Sequence, residues 1–396
     1  MTSPSLAAEP ACPGRPSETA GAPPSPAAAL RAERRDIARV SSAEWDRLVD
    51  ATPWATPFAN LAFHRAWWDA YGVNAHEETL VVVGTDDPDR IVGIVPLMHR
   101  HEVEPGDALA HTTLRHGTLA DLTPVEPTAT AIFFGASYHA DYATVLAASA
   151  DLPAVADAVA DYLIARDSRD WDVLDLRRLR CGDPAADALA ASLGAREMAN
   201  GWTLNVERED VCPVVTLPEG AGLDDFLSTL GKKERHEIRR KVRRAEAAGD
   251  VRLDDSTDPL GDLDAFIDLH QKRWGAEGLF PPTAGGEQSR VFIRRMFEAF
   301  GPDGAVKLTF LTVAGRRIAA GVHLETADGY LYYNAGVDPE ARDLSPGVVM
   351  VHRYVERAIA TGRRRLDFLR GDEPYKYEWG AVDEPIQRLL VRRRND

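Results

Sequence analysis

Apolar and polar positions divide the chain into a polar start and a long alternation of strands and helices. Residues 1–29 are rich in Ala, Pro and Ser and nearly free of large apolar side chains. Such a segment cannot bury a core, and a disordered tail is expected through residue 33. Residues 37–40 then read as a strand. Helices are expected over 41–50, with Trp45, Leu48 and Val49 inward, and over 63–71, with Trp67 and Trp68 in the core. A hairpin follows, 79–84 and 90–98, turning on Asp-Asp-Pro-Asp. Residues 102–138 are irregular. A helix at 153–165, a strand at 171–176 and a helix at 185–193 close the first half. The second half opens with a short strand at 214–217 and a long helix at 223–248. Amphipathic helices follow at 263–274 and 291–300, then a hairpin at 306–313 and 318–325.

The chain is organised around residues 330–380. Tyr330 to Gly336 is a strand-like aromatic run. After a loop, Ser345 is a favoured N-cap residue, Pro346 suits the first helical position, and Gly347 opens the helix. Val348, Val351, Val355 and Ile359 repeat at helical spacing, and Gly362 stops the run. A strand at 365–369 leads into Gly371-Asp372-Glu373-Pro374-Tyr375-Lys376. A helix start supplies free N–H groups and the positive dipole end, and Arg342 adds a full charge, so this geometry suits an anion.

Two stretches echo each other. Arg90 to Val95 resembles Arg317 to Val322, each the second arm of a hairpin, and Val173 to Leu176 matches Arg365 to Phe368, each after a helix. The fold expected is α+β, with two tandem domains at 34–208 and 209–396. The first copy lacks the anion loop: Ser149-Ala150-Asp151-Leu152 precedes its helix, and Asp151 would repel a phosphate.

Composition narrows the function. The net charge of −16 over 396 residues disfavours loose, charge-driven binding to nucleic acid, so no DNA partner is expected. No apolar run reaches membrane-span length. The three scattered cysteines show no disulfide framework or zinc spacing, which fits a cytoplasmic protein. His99, His101, His111 and His116 lack ligand spacing, and no metal is expected. The basic run from Lys232 to Arg244 stands out in an acidic chain. It reads equally as a solvated helix face or as a phosphate-facing surface.

Arg342-Asp343-Leu344-Ser345-Pro346-Gly347 resembles the pyrophosphate loop of GNAT acyltransferases, with Ser345 in place of the first glycine. With the later GDEPYK, it resembles the CelD/BcsL type, relatives of the FemABX peptidyltransferases. The resemblance implies a tandem GNAT fold and acetyl-CoA, or another acyl-CoA, as co-substrate. It implies transfer to an amine of a sugar or small molecule, with a link to exopolysaccharide or cellulose synthesis. It places Tyr333, Asn334 and Gly336 at the thioester and Arg342, Ser345 and Gly347 at the pyrophosphate. Asp372 and Glu373 are then candidate bases, Tyr375 a candidate acid and Lys376 a substrate anchor. Two alternatives stand beside this reading. One is aminoacyl transfer from a charged tRNA, motivated by the basic helix, and the other is a non-catalytic sensor of coenzyme A or a sugar.

Overall fold

The computed structural model describes residues 29–100, 111–113, 119–126, 128–166, 170–220 and 222–393. The expected tail up to residue 28, and His101 and His116, lie outside them. The first half contains β1 (Leu30–Arg34), α1 (Ser42–Ala51), α2 (Leu61–Tyr71), β2 (Ala75–Glu77), β3 (Leu80–Gly84), β4 (Ile91–Val95) and β5 (Leu97–Arg100). It continues through β6 (His111–Thr113), β7 (Leu119–Asp121), β8 (Ala131–Phe134), β9 (Leu146–Ala147), α3 (Leu152–Ala165), β10 (Val173–Arg180), α4 (Pro184–Ala195), α5 (Glu197–Asn200) and β11 (Trp202–Thr216). The second half contains α6 (Leu223–Thr229), α7 (Lys232–Ala248), β12 (Val251–Asp255), α8 (Leu263–Trp274), α9 (Ala284–Phe300), β13 (Val306–Val313) and β14 (Arg316–Glu325). β15 (Gly329–Val337), α10 (Pro346–Ala360), β16 (Arg365–Asp367), α11 (Pro374–Tyr377) and β17 (Val382–Arg393) complete it.

The halves are two copies of one topology. Each runs an edge strand, two helices, three antiparallel strands, a crossover helix and a parallel fourth strand. In the second copy these are β12, α8, α9, β13, β14, β15, α10 and β16, with β15 parallel to β16. In the first they are β1, α1, α2, then β2/β3, β4/β5 and β8/β9, then α3 and β10, with β8 parallel to β10. Each of the three middle strands of the first copy is broken in two, so its edge splits off as a four-stranded sheet, β1-β3-β4-β9. The other strands join both copies in one eleven-stranded sheet, β12-β13-β14-β15-β16-β11-β17-β10-β8-β5-β2. A duplicated α+β topology is what the resemblance implied.

The join is an exchange of strands. β11, at the end of the first copy, reaches across to pair Val214–Thr216 with β16. β17, at the end of the chain, lies between β10 and β11. A third core is also shared, where α2 packs on α9 with Phe63 edge-on to Phe292 at 5.4 Å.

Several expectations shift. Residues 30–34 form a strand paired to β3, inside the stretch expected to be tail, whereas 37–39 form a 3-10 turn. The long helix divides at Leu230 and Gly231 into α6 and α7. Cys212 is free and buried. Among the described residues no helix is long and apolar enough to cross a membrane, and no three metal-ligating side chains gather.

Candidate functional site

The site begins where two parallel strands part. β15 pairs with β16 only from Gly329 to Leu331, opposite Arg365 to Asp367. β16 then stops, while β15 runs on to Val337 with no strand on that side. A bulge sits just beyond the parting. Tyr332 faces His323 and Asn334 faces Val322, so Tyr333 is the extra residue. A bulge re-aims side chains and frees ladder groups, and here it does so where β15 and β16 part.

The two tyrosines at the bulge point to opposite faces. Tyr332 lies under α10, its ring edge-on to Tyr354 and Phe368 and its hydroxyl 3.6 Å from the Met350 sulfur. Tyr333 faces the first half. Its hydroxyl donates to the His139 carbonyl at 2.9 Å, and its ring meets Phe58 edge-on at 5.6 Å. Burial pushes its phenol well above the ordinary range, so it stays protonated. Asn334 and Gln271 are hydrogen-bond partners of His270, whose imidazole burial pushes down to about 4. The Ala335 carbonyl accepts from the Trp274 indole at 3.2 Å. Gly336 has a packing reason for being glycine, since a Cβ there would stand 2.3 Å from the His270 backbone nitrogen of α8.

Beyond the end of β15, α10 starts from a strained turn. Ser345 has φ 52° and ψ 54°, the left-handed region that favours glycine. The sequence expectation of a side-chain N-cap is not met, because that region is not the extended conformation a capping serine uses. The Ser345 carbonyl takes the amides of Val348 at 3.0 Å and Val349 at 3.1 Å, and Pro346 has no N–H. The Gly347 amide is outside this cap. A Cβ on Gly347 would meet nothing within 4 Å, so its side-chain side is open. The Ser345 hydroxyl instead accepts from Arg244 Nη2 of α7 at 2.8 Å. This was not legible from sequence: the basic helix and the anion loop are one place. α7 lies along α10, tied by Arg353 to Glu246 at 2.9 Å. Arg342 is exposed on the 3-10 turn that leads into Ser345.

The third wall follows β16. Asp372 is half-buried, and its carboxyl is raised chiefly by burial and further by Glu373 and Asp383. Glu373 is exposed and pairs with Lys376 at 2.9 Å. Tyr375 on α11 lies against Phe368 at 5.9 Å, on the α10 face, and burial raises its phenol. Lys376 is buried. Its ammonium donates to the carbonyls of Leu369, Arg370 and Gly371 at 3.1, 2.9 and 2.9 Å. These three carbonyls and Glu373 surround its three protons, so the loop itself occupies the group expected to anchor a substrate.

The first half supplies the face opposite α10. The turn after β8 carries His139, Asp141 and Tyr142. His139 Nδ1 lies 3.2 Å from the Tyr333 hydroxyl, Asp141 pairs with Arg370 at 3.3 Å, and Tyr142 donates to Asp367 at 2.8 Å. Asp367 ends β16 at the parting point, and burial pushes its carboxyl up to about 6. Sequence reasoning assigned none of these four to the site. Their partners lie about two hundred residues away in the chain, and each alone reads as an ordinary core or loop residue.

Residues 232–377 match the family model described as an acetyltransferase (GNAT) domain. No curated protein matches the chain in sequence. Among solved structures, the chain is similar to FemX, with 12% identity and a TM-score of 0.54 over 88% of this chain and 96% of that one. It is also similar to a conserved protein of unknown function from Bacteroides thetaiotaomicron, with 14% identity and a TM-score of 0.52 over 89% and 98% of the two chains. At these identities the likeness bears on the fold.

Proposed function

We propose that this chain, a tandem GNAT fold whose residues 232–377 match an acetyltransferase domain, moves an acyl group from acyl-CoA to an amine of a small molecule or sugar. The observation that carries the reading is the parting of β15 from β16 with the Ser345 turn and the start of α10 at its mouth. Gly347 leaves open space on its side-chain side at the start of α10, and Arg342 and Arg244 stand on the turn and beside it, a donor set that suits a pyrophosphate. Tyr375, exposed beside the buried Phe368, gives an apolar surface for a pantetheine arm.

The chemistry is direct displacement. The amine nitrogen bonds to the thioester carbon, the C–S bond breaks, one amine proton goes to a carboxylate, and the thiolate takes a proton. Backbone amides on the unpaired edge of β15 face the developing oxyanion. Asp372, with its raised carboxyl, serves as the base in this reading, because Glu373 is engaged with Lys376. Tyr375, protonated at neutral pH, is the donor to sulfur. Much of the rate then comes from alignment.

The test is calorimetric titration with coenzyme A, alongside thiol release from acetyl-CoA with a panel of amino sugars. Arg342→Ala should weaken binding by roughly ten- to a hundredfold, at about 1.4 kcal/mol per decade. Wild-type protein that binds no coenzyme A at millimolar concentration would overturn the reading. The exposed basic face of α7 favours the second reading, a charged tRNA as donor. Salt-dependent retention of charged tRNA with no coenzyme A binding would support it.

A further inference from the structure

The turn between β8 and β9 touches both strands of the parted pair. It leaves the first copy's sheet at Gly135, whose N–H donates to Pro96 at 2.9 Å, and returns at Ala143, whose N–H donates to Arg178 at 2.9 Å. Between these points it is stiff. Ala136 takes a left-handed φ of 61°, and its carbonyl accepts from the amides of His139 at 3.1 Å and Ala140 at 2.9 Å. From this frame His139 reaches Tyr333 on β15, while Tyr142 reaches Asp367 on β16 and Asp141 reaches Arg370 just after it.

Each contact is positioned from behind. The His139 ring stacks on Phe292 at 4.0 Å with 12° between planes, and its Nε2 meets the Tyr71 hydroxyl at 2.8 Å. Tyr71 in turn meets Ser289 at 3.0 Å. The Tyr333 hydroxyl donates to the His139 carbonyl, so its oxygen is open to accept from His139 Nδ1–H. Tyr142 packs edge-on to Phe58, and the Arg180 guanidinium lies over its ring, 4.8 Å from the centre. The carboxylate that Tyr142 holds gives its second oxygen to the Leu369 amide at 2.8 Å, which fixes the left-handed Leu369 immediately after β16.

We propose that this turn of the first half is a wedge that holds β15 and β16 apart at the donor site, with His139 and Tyr142 as positioning residues for chemistry carried out by the second half. The copy without an anion loop thereby gains a role of its own. It fixes the bulge at Tyr333 and the strand end at Asp367, the two edges between which a thioester lies. The inference rests on the acyl-CoA reading of that donor site.

The experiment compares wild type with His139→Leu, Tyr142→Phe and their double variant, each checked for cooperative unfolding. Steady-state acetyl transfer should show kcat down about ten- to a hundredfold in the double variant, since an ångström of misplacement has that effect, with KM for acetyl-CoA within about threefold. His139→Asn, whose amide can stand in for Nδ1–H, should recover most of the loss seen with His139→Leu. Hydrogen–deuterium exchange should rise in residues 332–337 and 368–371 of the double variant, whatever the reaction. A folded double variant with wild-type kcat, or with unchanged exchange in both segments, overturns the wedge. Absence of acetyl transfer in the wild type would instead remove the acyl-CoA reading and leave the exchange result to decide the wedge.

Discussion

Arg388 of β17 grips Asp175 of β10 with two bonds, Nε to Oδ1 at 2.6 Å and Nη2 to Oδ2 at 2.7 Å, and both side chains are 1% exposed. The pair clasps the exchanged strand into the first copy. Arg177 also meets Asp175, at 3.2 Å, and Arg388 reaches Glu207 of β11 at 3.1 Å, so the charges balance across three strands. A second buried pair, Arg178 with Glu209, joins β10 to β11. Removing one partner of such a pair leaves a buried charge without its counterpart. Asp175→Ala should therefore destabilise by about 3–5 kcal/mol, whereas replacing Asp175 and Arg388 together by Leu and Met should cost less. Urea unfolding of the three proteins decides this. If the double replacement is as damaging as the single one, the clasp is not an electrostatic unit.

Ser345 supports a second prediction. A non-glycine residue in the left-handed region carries about 1–2 kcal/mol of strain. Ser345→Gly should raise the melting temperature or leave it unchanged, although it removes the hydroxyl that Arg244 contacts. Ser345→Val, branched at Cβ, should lower it by several degrees. Equal melting temperatures for the two variants would mean that the turn relaxes away from this conformation.

The sequence was most legible where local signals and tertiary structure agree. The second hairpin arms, Ile91–Val95 and Arg316–Glu325, and the fourth strands, Val173–Arg180 and Arg365–Asp367, occupy equivalent places, as the echo between them implied. The helix after Ser345 starts where Pro346 indicates. It was least legible where partners are remote. β17 carries Pro385, Gln387 and a wholly buried Arg388, so its composition reads as surface although it lies deep in the sheet. β1 is short and charged, and only pairing with β3 makes it a strand. His139 lies just past the irregular region, 194 positions from Tyr333.

Lys376 distinguishes a structural role from a binding one. Its ammonium holds the carbonyls of Leu369, Arg370 and Gly371, including the left-handed turn at Leu369. Lys376→Met keeps most of the bulk and removes the three donors. Leaving buried carbonyls unpaired should destabilise the chain by about 3 kcal/mol. A residue that only anchored a substrate would leave the unfolding midpoint in place and raise KM for the acceptor alone.

Asp367 makes stability depend on pH in a direction that can be worked out. Burial raises its carboxyl from 3.8 to about 6, against the pull of the Leu369 amide and the Tyr142 hydroxyl. The folded state then holds a proton that the unfolded chain has released, so the contribution is present below about pH 3.8 and is lost as pH rises through about 6. The loss is about 3 kcal/mol at most, at about 1.4 kcal/mol per pKa unit. Asp210 behaves in the same sense, raised by burial to about 6. His64 and His270 behave oppositely: burial lowers both to about 4, so they weaken the fold as pH falls below 6.5. These three groups are common to wild type and Asp367→Asn, and they cancel in the difference between the two. An asparagine does not titrate. Relative to wild type, Asp367→Asn should be more stable at pH 7 than at pH 4 by up to about 3 kcal/mol, whatever constant offset its altered hydrogen bonding adds. Urea midpoints at the two pH values give the difference directly. An offset that is the same at both would mean that Asp367 is ionised throughout, and that the parting point of β15 and β16 is wetter than its burial indicates.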